Sequence, residues 1–311
     1  MRKQGFILLA VLLTLSGCGR FNPDRTESIL RFDWDGMNRK AIVYTPKAIK
    51  DLTSVPVVLF LHGGGGKAEN VERYGIREYA DRYGFILVAP DGTGSLPLHT
   101  WNGGTWMVDG KAQSCCGTAA RNDVDDVGFI EALIDRLIET YGADPDRIYV
   151  TGFSNGAIMG YRLACELSDR LAAVAVAAPP GLSDDCDPTR AIPLLHIIGT
   201  ADDRVPIDGG EGLGFPGLGP LFVALSAQTM MDRWATLIGA QSPLTTVLDE
   251  PGVVCTERRT TGDVPATLCI LEGMGHRYPG ADPILPEESK TEPLSDFDFD
   301  AIWSFLTTGT P

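Results

Sequence analysis

The chain reads as an α/β protein, a mostly parallel twisted sheet with helices on both faces. Three observations predict this. Apolar runs at 55–61, 148–150 and 194–198 have strand length and no polar alternation, the pattern of strands covered on both sides. Segments of helical periodicity fall between such runs, near 71–82, 125–141, 156–167 and 226–238, as a doubly wound fold requires. Hydrophobic residues make up 44% of 311, enough for one substantial core, and no internal repeat, coiled coil or appended binding domain is visible.

Taken from the start, the chain opens with basic Arg2 and Lys3, an apolar stretch at 6–15, and Leu15-Ser16-Gly17-Cys18. The stretch is short for a membrane span and has the layout of an export signal. The sequence fits a lipoprotein signal over 1–17, cut before Cys18 and lipidated on that residue, then a polar tether over 18–27 and one catalytic domain over 28–311. Gly19 after the lipidated residue would direct the protein to the outer membrane of a Gram-negative cell. The alternative is plain secretion with Cys18 unmodified.

Residues 28–34 and 39–44, around Asp35-Gly36, predict an opening hairpin. Strands are predicted at 55–61, 85–89, 148–150, 172–177, 194–198, 245–248 and 267–271, and a last helix at 297–306. In the helix at 125–141, Phe129, Leu133, Leu137 and Tyr141 recur every four residues and form a core-facing stripe.

The most informative element is the junction at Gly152-Phe153-Ser154-Asn155-Gly156. A serine between two glycines, on a sharp turn from strand to helix, is the nucleophile elbow of the α/β-hydrolase fold. A hydroxyl nucleophile needs a base, and the chain has four histidines. His62 opens a glycine run, His99 lies in a polar loop suited to a surface or substrate rim, and His196 sits inside a predicted core strand. His276, in a glycine-flanked loop after the 267–271 strand, is the candidate base. The orienting acid should follow a strand between serine and histidine; Asp202 meets this, with Asp203 as its rival. The oxyanion hole calls for the amide of Asn155 and one from His62-Gly63-Gly64-Gly65-Gly66, Gly64 first and Gly65 next. A phosphate loop is excluded there, because Lys67 is not followed by Ser or Thr.

An ordered set of further motifs accompanies these: Pro90-Asp91-Gly92, Trp101-Asn102-Gly103-Gly104, Cys115-Cys116-Gly117, Val124-Asp125-Asp126-Val127-Gly128-Phe129-Ile130, Leu163-Ala164-Cys165-Glu166, Gly199-Thr200-Ala201-Asp202 and Gly275-His276 through Pro279-Gly280. With them the chain resembles the polyhydroxybutyrate depolymerase and feruloyl esterase family of α/β-hydrolases, including its bacterial lipoprotein members. The resemblance runs from about residue 42 to 280 and implies Ser154, Asp202 and His276 as a triad. Three departures stand out. Gly64 replaces a cysteine common after the His-Gly of the oxyanion loop, and Tyr278 replaces a tryptophan. Residues 105–114 enlarge the spacing between the Trp-Asn and Cys-Cys motifs. That insert suggests a cleft-rim element able to reset substrate choice, with Trp101, Trp106 and Tyr278 as candidate substrate contacts.

Setting Cys18 aside leaves Cys115, Cys116, Cys165, Cys186, Cys255 and Cys269, an even number that in an oxidising compartment suggests three disulfides. The expectation is Cys255 with Cys269 across a hairpin near Gly262-Asp263, with Cys115 and Cys116 taking Cys165 and Cys186 in some order. No metal site is expected, since no C-x-x-C pair occurs, and no cofactor is called for. The formal charge of −15 argues against nucleic acid and anionic membrane as partners, so the membrane is met only through a lipid on Cys18. Residues 209–219, with Phe215 and Pro216, suggest a flap beside the acid loop or an ordered surface loop.

The function expected is a serine esterase acting on a small-molecule or polymer ester: polyhydroxyalkanoate, hydroxycinnamoyl or acetyl. The alternatives are a serine peptidase of the prolyl oligopeptidase type, although the chain lacks room for that family's propeller, and a non-catalytic binding lipoprotein on a hydrolase fold.

Overall fold

The computed structural model describes residues 27–94, 98–213, 221–281 and 295–311. The predicted leader, Cys18, Phe215 and Pro216 lie outside these.

Along the chain come β1 (Glu27–Trp34), β2 (Met37–Tyr44), β3 (Val55–Leu61), α1 (Ile76–Tyr83), β4 (Ile86–Pro90), β5 (Thr105–Val108), β6 (Lys111–Ser114), α2 (Thr118–Arg121), α3 (Asp126–Tyr141), β7 (Ala143–Phe153) and α4 (Asn155–Glu166). Then follow β8 (Ala173–Ala177), β9 (Leu194–Gly199), β10 (Gly210–Glu211), β11 (Val223–Ala224), α5 (Ala227–Ile238), β12 (Thr245–Glu250), β13 (Val253–Arg259), β14 (Pro265–Leu271) and α6 (Phe299–Thr308).

Ten strands form one sheet in the order β1-β2-β4-β3-β7-β8-β9-β14-β13-β12. The middle six are mutually parallel, and antiparallel strands extend both edges. Every residue of β4, β8 and β9 is buried, so both faces of the sheet centre are covered. This is the α/β-hydrolase fold.

Several elements differ from the sequence reading: β5, β6, α2, β10 and β11 are absent from it, and two further differences are instructive. The helix predicted at 71–82 is split: a 3-10 segment, Ala68–Tyr74, ends at Gly75 with φ of 65°, and α1 starts only after it. A left-handed residue ends one helical segment and re-aims the chain, which the apolar spacing alone does not reveal. The sequence reading gave no bounds to the first strand of the hairpin expected around Gly262-Asp263; it is β13, where Val253, Cys255 and Glu257 are buried and the residues between them face outward, beside the edge strand β12.

The disulfides are Cys115–Cys116, Cys165–Cys186 and Cys255–Cys269. The third is the expected one, joining residues that face each other directly across β13 and β14. The expectation that Cys115 and Cys116 would take Cys165 and Cys186 is corrected. Asn155, at the N-terminal end of α4, donates through Nδ2 to the Cys115 carbonyl at 2.8 Å. Cys165 lies ten residues further along that helix, about 15 Å away at 1.5 Å per residue. A disulfide tolerates no such span, so Cys165 pairs locally with Cys186 and the two neighbouring cysteines pair with each other.

Candidate active site

Parallel strands end together at one edge of a sheet, and the candidate residues are placed there. β7 ends at Phe153 and Ser154 follows with φ of 54° and ψ of −117°, a left-handed conformation unusual for a residue with a side chain. Glycines make this turn possible. A Cβ on Gly156 would lie 2.2 Å from the Leu61 carbonyl oxygen, and one on Gly152 would lie 2.5 Å from that of Gly156. The first turn of α4 therefore seats directly on the end of β3. Asn155 occupies its first position, where a helix amide has no partner four residues back.

β9 ends at Gly199, where a Cβ would stand 1.9 Å from the Met274 carbonyl oxygen. This contact brings the loop after β9 against the loop after β14. Asp202 and His276 meet across it: the His276 Nδ1–H donates to Asp202 Oδ2 at 2.9 Å. The amides of Arg204 and Val205 donate to the other carboxylate oxygen at 3.0 and 2.8 Å. With Nδ1 carrying the proton, Nε2 faces Ser154 Oγ at 3.1 Å as an acceptor. Ser154, His276 and Asp202 thus form one hydrogen-bonded chain, with the histidine and the aspartate buried. Asp203, the rival acid, is exposed.

The glycine loop is fixed by its own histidine. The Gly92 amide donates to His62 Nε2 at 3.0 Å, so Nδ1 carries the proton and donates to the Gly63 carbonyl at 2.8 Å. The Gly65 amide donates to the His99 carbonyl and the Gly66 amide to the Gly63 carbonyl, so both are engaged elsewhere. Gly64 lines the cleft with Ser154 and His276, which favours it over Gly65. The Asn155 side chain is also committed. It accepts from the Trp101 amide at 2.7 Å and donates to the carbonyls of Trp101 and Cys115, pinning two loops beside the elbow.

Asp91 anchors the far side of this loop. Burial acts to raise its pKa, but the hydrogen bond with His99 and the ion pair with Lys40 outweigh that and hold the carboxyl well below its usual range. His99 is therefore a partner of Asp91, through Nδ1 to Oδ1 at 2.9 Å. His196 is buried, with Nδ1 on the Tyr161 hydroxyl at 3.0 Å; desolvation lowers its pKa to about 3.

The three proposed substrate contacts lie elsewhere, in the interior. Trp101 is fully buried, its indole N–H donating to the His62 carbonyl. Trp106 is fully buried and donates to the Val223 carbonyl. Tyr278 is buried among Phe60 and Tyr74, its hydroxyl on Thr151 Oγ1 at 2.8 Å. None of them can touch a ligand without rearrangement, and an aromatic residue near a catalytic motif carries no sequence signal separating core from rim.

The cleft is lined by Gly64, Cys116, Ser154, His276, Leu213 and Phe222 among others. Leu213 and Leu221, which also line it, are 63% and 42% exposed, so the mouth is apolar and open. Sequence reasoning did not pick Leu221 or Phe222, which belong to no motif; Leu213 falls in the 209–219 segment expected as a flap or surface loop, and Cys116 is singled out only for its Cys-Cys motif and as a disulfide candidate. Among the described residues, no group of His, Cys, Asp or Glu is arranged to hold a metal ion.

A family model described as Phospholipase/Carboxylesterase matches residues 48–213, more than half of the chain. The chain belongs to that family. It is similar to a candidate esterase, NocK, of Nocardia uniformis subsp. tsuyamanensis, with 32% identity over 72% of this chain and 66% of that one. Feruloyl esterase B of Piromyces equi is 29% identical over 76% of this chain and 42% of its own. The chain thus spans less than two thirds of these relatives' lengths. Among solved structures, the acetyl xylan esterase from Aspergillus awamori shares the fold with a TM-score of 0.56 at 16% identity, covering 84% of this chain and 97% of that one.

Proposed function

We propose that this family member is an exported serine esterase that hydrolyses carboxylic esters through Ser154, His276 and Asp202. The observation that carries the reading is the hydrogen-bonded chain from Asp202 through His276 to Ser154 Oγ, opening onto a cleft beside Gly64 and Asn155. His276 Nε2 takes the Ser154 proton as Oγ attacks the ester carbonyl. The amides of Asn155 and Gly64 hold the oxyanion, and Asp202 stabilises the imidazolium. His276 returns the proton to the departing alcohol. A water molecule, deprotonated by the same nitrogen, then releases the acid and restores Ser154.

Esters of hydroxycinnamic, acetic or hydroxyalkanoic acids are the substrate classes proposed; the names of the relatives and the apolar cleft mouth support them. The three disulfides and the leader-like start of the sequence support export, with a lipid on Cys18 as the anchor.

The test is a fluorophosphonate probe followed by peptide mapping, alongside a panel of methyl ferulate, p-nitrophenyl acetate, a polyhydroxybutyrate suspension and a prolyl peptide amide. Labelling at Ser154 with turnover of at least one ester is expected. Turnover of the peptide alone would move the reading to a peptidase, and absence of both labelling and turnover to a binding protein.

A further inference from the structure

One wall of the cleft is held in place by a hairpin that contributes little to the cleft itself. β5 and β6 form a two-stranded unit in which Trp106 stands directly opposite Gln113, so both side chains lie on one face. Together they grip a single residue of the wall. The Trp106 indole N–H donates to the Val223 carbonyl at 3.0 Å, and the Val223 amide donates to Gln113 Oε1 at 3.0 Å. Both main-chain polar groups of Val223 are therefore held by this hairpin. The residue before it is Phe222, whose ring lines the cleft and meets the Trp106 ring edge-on at 6.2 Å.

The grip is itself anchored. Gly181 lies against the indole so closely that a Cβ there would stand 2.2 Å from Trp106 Cδ2. The Asp184 amide donates to the Thr105 carbonyl, and the Leu225 amide to the Pro180 carbonyl. Trp106, Cys115 and Ile158 form a small apolar cluster of their own, against which Cys116, Phe222 and Leu225 pack.

We propose that Trp106 and Gln113 are positioning residues for substrate selectivity: by fixing the main chain of Val223 they hold Phe222 as a barrier that limits the length of the acyl chain admitted beside Ser154. The inference rests on the esterase reading. Neither side chain touches the substrate, and neither enters the proton relay.

The experiment compares kcat/KM for p-nitrophenyl hexanoate and p-nitrophenyl acetate in the wild type, Gln113→Ala, Gln113→Glu, Trp106→Phe and Phe222→Ala. Gln113 is half-buried at the protein surface, so its truncation is compatible with folding. In Gln113→Ala the hexanoate-to-acetate ratio should rise about threefold or more, through a lower KM for hexanoate with kcat for acetate unchanged. Phe222→Ala should move the ratio the same way and further. Trp106→Phe, which keeps an aromatic ring but loses the N–H, should follow Gln113→Ala, and Gln113→Glu, which keeps an acceptor at Oε1, should restore the wild-type ratio. A ratio unchanged or lowered in Gln113→Ala, or not restored by Glu, overturns the inference while leaving the esterase intact. A wild type that turns over neither ester and takes no fluorophosphonate label removes the esterase reading, and this inference falls with it.

Discussion

The hydrogen-bonded chain from Asp202 through His276 to Ser154 and the wall of the cleft are built in opposite ways. Ser154, Asp202 and His276 stand on loops at the ends of buried parallel strands, where close backbone contacts at Gly156 and Gly199 leave no alternative packing. The wall of Leu213, Leu221 and Phe222 stands on two-residue strands, with exposed leucines and two side-chain hydrogen bonds from a separate hairpin. A reaction needs atoms held within a fraction of an ångström, and the sheet core provides that; a selectivity wall can hang on a few replaceable contacts. On the roles proposed above, chemistry and substrate choice are expected to change independently in this molecule.

The largest losses are expected at the Ser154–His276–Asp202 chain. Ser154→Ala should lower kcat/KM by on the order of 10⁴-fold or more, and Asp202→Asn should cost on the order of 10³- to 10⁴-fold, because His276 then loses the acceptor that sets its tautomer. Steady-state kinetics with melting curves matching the wild type would check both; a loss below about tenfold for Asp202→Asn would exclude it as the orienting acid.

The scaffold beneath the relay should be nearly as intolerant. Gly199→Ala forces a Cβ to 1.9 Å from the Met274 carbonyl oxygen. The loops carrying Asp202 and His276 must separate, so a destabilisation of about 3 kcal/mol or more is expected, with activity falling in the residual folded protein. Urea unfolding measures the first and specific activity the second. An equivalent substitution in the wall hairpin, at Gly110, where no atom lies within 4 Å but φ is 74°, should cost only about 1 kcal/mol.

A pH effect should leave the cleft untouched. His196 is buried and neutral, its pKa lowered to about 3 by desolvation, whereas the unfolded chain protonates it near the ordinary 6.5. Between those values the unfolded state binds the extra proton, so stability falls as pH drops below about 6.5 and stops falling near 3. The full drop from this residue is on the order of 5 kcal/mol. His196→Leu should flatten the acid limb of a plot of melting temperature against pH; an unchanged slope would show that carboxylates such as Asp91 carry it.

Replacing both Cys165 and Cys186 with alanine should cost ~3 kcal/mol from the loop they close, with kcat little altered because the bond lies away from the cleft. Non-reducing peptide maps should show the same pairing directly.

The sequence was far more legible at the relay than at the wall, for the same physical reason that separates them. An elbow restricts residue types on both sides of Ser154, because Cβ atoms at Gly152 and Gly156 would collide with the main chain, and that restriction can be read from one sequence. The parallel strands likewise announce themselves as apolar runs. Phe222 and Leu221 carry no comparable restriction, since their place depends on Trp106 and Gln113 more than a hundred residues earlier. The same blindness misplaced Trp101, Trp106 and Tyr278 on the rim: a tryptophan whose N–H finds a buried carbonyl looks, in sequence, like one that faces a ligand. The pairing of Cys115 with Cys116 was hidden too, because it follows from the length of α4 between Asn155 and Cys165 and from no spacing motif.

The most direct test of the central claim is hydrolysis of p-nitrophenyl acetate by the purified protein beside its Ser154→Ala variant, both shown to be folded. Saturable turnover by the wild type is expected, with its loss, to near the uncatalysed rate, in the variant. Turnover that survives the substitution would contradict the assignment of Ser154 as the nucleophile and, with it, the function proposed for this cleft.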